Sequence, residues 1–171
     1  MAESILIDKN LSDVEIYKAV IPQIEYLLNL EEPIVSNLSN VSAVLNEAFT
    51  KISWVGFYLL KENKLYLGPF QGKVACTVIE VGSGVCGSSV QLGETIIVDD
   101  VNNFPGHIAC DSNSKSEIVV PLIHNGSIFG VLDVDSHLPA SFNLHDKIYL
   151  EMICRAITDK LNFNLLNDIL K

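Results

Sequence analysis

The sequence predicts one α+β domain, in which helices from both ends of the chain pack on one face of a central antiparallel sheet. Apolar residues recur at helical spacing near both termini, whereas the middle of the chain alternates apolar and polar residues as strands do. A long glycine-rich segment between the strands is left to cover the second sheet face. Residues 1–11 are expected to form a flexible arm, and residues 12–171 the domain.

Three longer helices are predicted, two in the first third of the chain and one at its end. Residues 12–15 form a capping-box pattern, which opens a helix that should run to about Leu30. A second helix is expected over residues 37–49, where apolar residues return every three or four positions. Residues 143–146 cap the last helix, which is predicted to end near Asn167.

Two hairpins are predicted between these helices. Their strands are expected over residues 53–61, 64–67, 117–124 and 127–135. Glu62-Asn63 forms the turn of the first hairpin, and Asn125-Gly126, the strongest short hairpin signal, lies in the turn of the second. Such hairpins build an antiparallel sheet without crossover helices.

Residues 68–114 are predicted to be mostly loop, with seven glycines, a short helix near residues 86–91 and a strand at residues 95–99. Loops longer than about 12–15 residues are usually functional in a compact domain. The functional site should therefore lie in this segment.

The composition limits the classes of partner. The net charge is −10 with only eleven basic residues, which argues against nucleic acid and anionic membranes as partners. The N-terminus has no signal-peptide pattern, and the longest apolar run, residues 55–60, is far shorter than the roughly 20 residues of a membrane span. We expect a soluble cytoplasmic protein whose four cysteines are kept reduced.

Three of the four cysteines, Cys76, Cys86 and Cys110, fall within the glycine-rich segment. A single buried cysteine often only fills space, but three in one loop favour thiol chemistry. If Cys86 opens the short helix, the helix dipole should favour its thiolate. A zinc site that includes His107 is the alternative, but the cysteine spacing matches no common zinc pattern, so no metal is predicted.

Carboxylates form the second candidate feature. Asp133 and Asp135 are two apart in a strand, so they share a face, and their proximity should raise the pKa of one of them toward the range of a proton donor. Two solvated aspartates at a strand end are the alternative. We predict a three-residue turn at residues 124–126 with a bulge, which would place Glu117 opposite Asp133. A two-residue turn alone would point Glu117 into the helix-covered core.

Trp54, Gly56 and Tyr58 alternate onto one face of the first predicted strand. Aromatic residues in such positions most often belong to the core of the sheet. The functional alternative is an apolar wall for a group the size of a thioether, next to the gap that Gly56 leaves.

Six segments that contain these residues closely resemble the free methionine-(R)-sulfoxide reductases, which are stand-alone GAF-domain enzymes. The segments are Trp54–Tyr58, Gly68–Cys76, Gly84–Gly87, Phe104–Asp111, Ser116–Leu122 and Gly130–Ser136. The similarity runs from about Asn37 through the last helix and implies a single GAF domain with a loop-covered active site.

The resemblance implies a cysteine relay that reduces free methionine sulfoxide. Cys110 would attack the sulfoxide sulfur, while Glu117 or Asp135 protonates the oxygen. The resulting sulfenic acid would condense with a second thiol, which the resemblance gives as Cys76, although the order in which Cys76 and Cys86 act stays open. Thioredoxin would then open the disulfide by exchange, and no metal or organic cofactor is expected.

The same resemblance assigns the remaining site residues. Glu117, Asp133 and Asp135 would bind the substrate amino group, and Trp54 and Tyr58 would surround the methyl sulfoxide. Free methionine sulfoxide, thioredoxin and a second copy of the chain in a homodimer are the implied partners. A non-catalytic GAF-type sensor of small molecules or redox state is the alternative function.

Overall fold

The structure is a computed structural model that describes residues 7–107 and 111–163. Cys110 and the last eight residues, for which sequence predictions were made, lie outside the described residues. The elements are α1 (Asp13–Leu27), α2 (Ile34–Ala48), β1 (Trp54–Lys61), β2 (Lys64–Gln71), β3 (Val78–Glu80), α3 (Gly84–Leu92), β4 (Ile96–Val98), β5 (Ser116–His124), β6 (Ser127–Ser136) and α4 (Leu144–Lys160).

Capping boxes open α1 and α4, as the sequence predicts. Ser12 caps α1 together with Glu15, and the carboxylate of Asp146 accepts the backbone N–H of Asn143 at 2.9 Å. α1 ends three residues earlier than predicted, and α4 ends at Lys160 rather than near residue 167. α2 begins directly after Pro33, three residues earlier than predicted, because a proline with fixed φ suits the start of a helix.

The six strands form one antiparallel sheet in the order β3-β2-β1-β6-β5-β4. β1 lies near the centre and pairs with both β2 and β6. On one face, Val55, Phe57 and Leu59 of β1 join the apolar residues of α1, α2 and α4 in the main core. On the other face, Trp54 and Tyr58 pack in a smaller cluster with α3. The predicted separation of the two faces is confirmed.

The segment predicted to be mostly loop contains more regular structure than expected. β2 continues to Gln71, because Gly68 and Pro69 lie together at a bulge opposite Phe57, where a strand tolerates proline. The short helix and β4 occur near their predicted positions. β3 has only three residues and forms by pairing with β2, so local sequence gave no signal for it.

The turn between β5 and β6 differs from the prediction. His124 pairs with Ser127, so the loop contains only Asn125 and Gly126, whose φ angles of 51° and 78° suit a two-residue hairpin turn. The predicted three-residue turn is therefore wrong.

A bulge nevertheless follows, two residue pairs beyond that loop. Ile123 pairs with Ile128 but Leu122 pairs with Gly130, so Phe129 is the extra residue. Glu117 consequently lies opposite Asp135 and not opposite Asp133 as predicted. Since the bulge shifts the register by one residue, Glu117 still shares the face of the two aspartates.

None of the described helices combines the length and the hydrophobicity that a lipid bilayer would require of a spanning segment.

We predict that Gly130→Ala destabilises the protein far more than Gly126→Ala. Gly130 has a φ of 155°, and an added Cβ would collide with the backbone carbonyl oxygen of Tyr58 in β1. Gly126 has a φ of 78° but no atom within 4 Å of such a Cβ. The free energy of unfolding should fall by about 3 kcal/mol for Gly130→Ala and by about 1 kcal/mol for Gly126→Ala, measured by urea denaturation. Equal losses would contradict the close approach of β6 to β1.

Candidate active site

A small cavity of about 40 Å³ lies on the sheet face opposite the main core. Its walls come from β1, β3, β5, β6, α3 and neighbouring loops. Chemically active side chains line it, namely Trp54, Tyr58, Cys86, His107, Glu117, Asp133 and Asp135. Seven residues that the sequence singled out therefore meet at one place.

Strand pairing brings the three carboxyl groups together. Glu117 of β5 lies opposite Asp135 of β6, which in turn lies opposite Trp54 of β1. Asp133 lies opposite Gly56, but the gap expected at Gly56 is filled, because a Cβ added there would collide with the side chains of Trp54 and Phe70. The row of acids and the row of aromatic residues thus lie side by side on neighbouring strands.

Burial controls the charge of this acid cluster, which consists of Glu117, Asp133 and Asp135. Burial raises the pKa of Glu117 and of Asp135 well above their usual range, and the charge of Asp133 raises both further. Burial likewise raises the pKa of Asp133, to about 6, although hydrogen bonds from Cys86 and Glu117 partly oppose this. The cluster can therefore hold protons at neutral pH. The sequence predicts a raised pKa for one of the two aspartates through mutual repulsion, whereas in the structure both are raised and burial is the larger cause.

Oδ1 of Asp133 is exceptional among the described residues. Asp133 is 7% exposed, and this oxygen has no hydrogen-bond partner among them. A buried carboxylate oxygen without a donor is costly, and such atoms in native proteins often accept a bond from a ligand.

Cys86 is a free thiol in the first turn of α3, 3% exposed. Burial raises its pKa well above the usual range, and the charges of Asp133 and Glu117 raise it further. The expectation that the helix dipole would favour its thiolate is therefore wrong, because desolvation and two carboxyl groups outweigh the half charge of a helix end. Cys154, also free, is buried in the main core.

Cys76 is disulfide-bonded, so the expectation that all four cysteines are reduced does not hold in this structure.

Two aromatic side chains of β1 hold the loop that carries Cys76. The hydroxyl of Tyr58 donates to the carbonyl oxygen of Cys76 at 3.0 Å, and Nε1 of Trp54 donates to the carbonyl oxygen of Lys73 at 3.0 Å. Phe70, which the sequence did not single out, stacks on Trp54 with ring centroids 5.4 Å apart. The two aromatic residues therefore anchor the backbone of the loop that carries Cys76, besides lining the cavity.

A second contact joins this loop to the segment that follows Cys110. Nζ of Lys73 lies 3.1 Å from Oδ2 of Asp111, and Nε2 of His137 lies 3.2 Å from the same oxygen. The backbone N–H of Asn113, with Lys73 and His137, lowers the pKa of Asp111 to about 2. The sequence gave no signal for the roles of Lys73 and His137, because an ion pair between distant loops leaves no local pattern.

His107, to which the sequence analysis gave no chemical step, also faces the acids. Its Nε2 lies 3.8 Å from Oε2 of Glu117, and burial lowers its pKa. The imidazole is therefore neutral over most of the physiological range.

Known proteins share this architecture and sequence. The GAF domain model matches residues 27–159. GAF domain-containing protein A of Dictyostelium discoideum is 52% identical over 158 residues, which are 92% of this chain and 99% of the relative. Free methionine-R-sulfoxide reductase of Saccharomyces cerevisiae is 43% identical over 170 residues, 95% of this chain and 94% of the relative.

This chain belongs to the free methionine-(R)-sulfoxide reductase family of GAF-domain proteins. The X-ray structure of the Neisseria meningitidis free methionine-R-sulfoxide reductase in complex with its substrate superposes with a TM-score of 0.87 at 43% identity. The superposition covers 97% of this chain and 99% of that one. The GAF fold that the sequence predicts is thus confirmed.

We predict that Asp133→Asn stabilises the protein at pH 7.5 but hardly at pH 4. A carboxyl group with a raised pKa contributes stability below its ordinary pKa, and this contribution is lost as the pH rises through its folded value of about 6. Asparagine stays neutral, so the free energy of unfolding should rise by about 1–3 kcal/mol at pH 7.5 and by less than about 1 kcal/mol at pH 4. Urea denaturation measures both values.

Asp99→Asn is the matched control, since Asp99 is an exposed aspartate at the end of β4. It should change stability by less than about 0.5 kcal/mol at either pH. A loss of stability in Asp133→Asn at pH 7.5 would contradict the raised pKa.

Proposed function

We propose that this protein reduces free L-methionine (R)-S-oxide to L-methionine by a thiol mechanism. The observation that carries the proposal is the buried acid cluster beside Trp54 and Tyr58, next to the loop of a disulfide-bonded cysteine. A cluster of carboxylates recognises an ammonium group, and an aromatic wall suits a methyl sulfoxide. The names of the yeast relative and of the Neisseria protein point to the same substrate.

The acid cluster explains why the free amino acid would be the substrate. Oδ1 of Asp133 is a buried acceptor to which the substrate ammonium group can donate. A methionine sulfoxide within a polypeptide has an amide in place of that ammonium group. We therefore propose that the protein acts on the free amino acid and excludes peptides.

The chemical step transfers oxygen from the substrate sulfur to a cysteine. We assign the attack on the sulfoxide sulfur to the thiolate of Cys110, in line with the family resemblance. Glu117 or Asp135 gives a proton to the sulfoxide oxygen, and their raised pKa values supply that proton at neutral pH. The protonated oxygen passes from the substrate sulfur to Sγ of Cys110 as the new S–S bond breaks, so methionine leaves with its sulfur reduced and Cys110 is left as a sulfenic acid.

The second step condenses this sulfenic acid with a thiol to form a disulfide and release water. We assign this role to Cys76, because Cys76 is disulfide-bonded while Cys86 and Cys154 are free. Cys86 is moreover buried with a raised pKa, which makes it a slow nucleophile. The ion pair of Lys73 with Asp111 ties the loop of Cys76 to the residue that follows Cys110.

An external dithiol closes the cycle by exchange, with thioredoxin as the proposed reductant in the cytoplasm. No metal or organic cofactor takes part in these steps. The flexible arm of residues 1–11 and the homodimer stay predictions.

The proposed activity is tested with free methionine sulfoxide, a dithiol reductant and the purified protein. We expect methionine to be released from the R epimer, with at least tenfold slower release from the S epimer and from a peptide that contains methionine sulfoxide. Binding of the R epimer without turnover would favour a sensor instead. Absence of both binding and turnover would reject the proposed substrate.

The cysteine relay makes a separate prediction for single turnovers without reductant. Cys110→Ser should release no methionine, whereas Cys76→Ser should release about one equivalent and then fail to recycle when the dithiol is added. Cys154→Ser, a buried thiol far from the cavity, is the matched control and should recycle normally. A recycling defect in Cys86→Ser together with normal recycling in Cys76→Ser would overturn the assignment of Cys76.

A further inference from the structure

We propose that Cys86, Glu117 and Asp133 also bind a divalent metal ion of the Zn²⁺ class, and that this ion blocks the substrate site. The ligand atoms, Sγ of Cys86 and one carboxylate oxygen each from Glu117 and Asp133, all lie within 4.8 Å of one another. Zinc bonds of about 2.0–2.3 Å place the ligands of a tetrahedral ion about 3.5 Å apart. Shifts of about an ångström would therefore close the three ligands around one ion.

The unpartnered oxygen of Asp133 is a second and independent observation. Asp133 is 93% buried and lines the same cavity as Cys86 and Glu117, yet its Oδ1 accepts no hydrogen bond from any described residue. The other two members of the set, Cys86 and Glu117, hydrogen-bond to Asp133, as does the backbone of Val134. A cation bound between all three would supply the missing partner of Oδ1.

The chemistry of the ligands selects the class of ion. A thiolate with two carboxylates suits Zn²⁺, Co²⁺ and similar transition-metal ions, whereas Mg²⁺ and Ca²⁺ prefer oxygen ligands alone. His107 offers a neutral imidazole, with Nε2 3.8 Å from Oε2 of Glu117, and so is placed to become a fourth ligand. The sequence spacing showed no zinc pattern because these ligands lie on α3, β5, β6 and a loop.

The effect that a bound metal ion would have on activity rests on the proposed function. The metal ion and the substrate ammonium group need the same carboxylate oxygens of Glu117 and Asp133, so they cannot bind together. Zinc should therefore inhibit competitively against methionine sulfoxide, and a chelator should restore activity. The ion is an inhibitor in this proposal and takes no part in the reaction.

The site is tested with Co²⁺ as a spectroscopic probe, on the protein in which Cys76 is disulfide-bonded and Cys86 is free. We expect one equivalent of Co²⁺ to produce a thiolate-to-cobalt charge-transfer band, which Zn²⁺ then abolishes by displacement. The Cys86→Ser variant should lose the band. The Asp133→Asn variant keeps the Cys86 thiol but should bind Co²⁺ at least tenfold more weakly. Cys154→Ser, the matched control at the other free thiol, should be unchanged.

Two outcomes would overturn the site: no charge-transfer band in the wild-type protein, or a band that Cys86→Ser retains. Circular dichroism of each variant confirms that a lost band does not come from unfolding. Asp133→Asn with unchanged affinity would also contradict the proposed ligands.

Competition with the substrate separates this proposal from the proposed function. Methionine sulfoxide should bleach the cobalt band, and Zn²⁺ should raise the KM for methionine sulfoxide without changing kcat. An enzyme that turns over but shows no competition would overturn inhibition at this site. A cobalt band in a protein that neither binds nor reduces methionine sulfoxide would support the metal site and reject the proposed function.

Discussion

The pairing of β5 with β6 decides which side chains can meet in the cavity. A two-residue turn alone would rotate Glu117 into the core of helices, where a carboxyl group could find no partner. The extra residue at Phe129 shifts the register by one, so that Glu117, Asp133 and Asp135 share one face. The pairing of β6 with β1 separately aligns Trp54 and Gly56 with the two aspartates. The bulge therefore brings Glu117 to the aspartates, and the β1–β6 ladder brings Trp54 beside them.

The two faces of the sheet contribute differently to the stability of the domain. One face packs Val55, Phe57 and their neighbours against three helices, and burial of that apolar surface stabilises the domain. The other face holds carboxyl groups whose burial disfavours their charged forms. The stability of the fold therefore comes mainly from the sheet face that packs against the helices. This stability offsets the cost of burying the carboxyl groups on the other face. Sites that bind or transform ligands commonly have this character.

The faces of the strands and the starts of two helices could be predicted from the sequence, because the signals for them are local. Alternation in β1 and β6 fixed which side chains share a face, and capping residues located the starts of α1 and α4. The turn length and the pairing partner of Glu117 could not be read, because a bulge at Phe129 depends on how two strands pack together. The prediction that the helix dipole favours the Cys86 thiolate was wrong for a similar reason. Burial among carboxyl groups, which raises the pKa of this thiol, is a property of the assembled fold. Contacts between distant loops, such as Lys73 with Asp111, left no trace in either segment alone.

In the proposed mechanism, the hydrogen bonds from Trp54 and Tyr58 to the backbone of the Cys76 loop have a kinetic consequence. Both donors stand on the central strand, so they hold carbonyl groups of the loop at fixed points relative to the sheet. A loop tethered in this way has little freedom to carry its cysteine away when the disulfide opens. The thiol then stays at a high effective molarity near the site, and disulfide closure becomes a short intramolecular step instead of a search. A rigid β-strand would in that case speed the disulfide-forming step of a redox cycle whose reacting atoms are on loops.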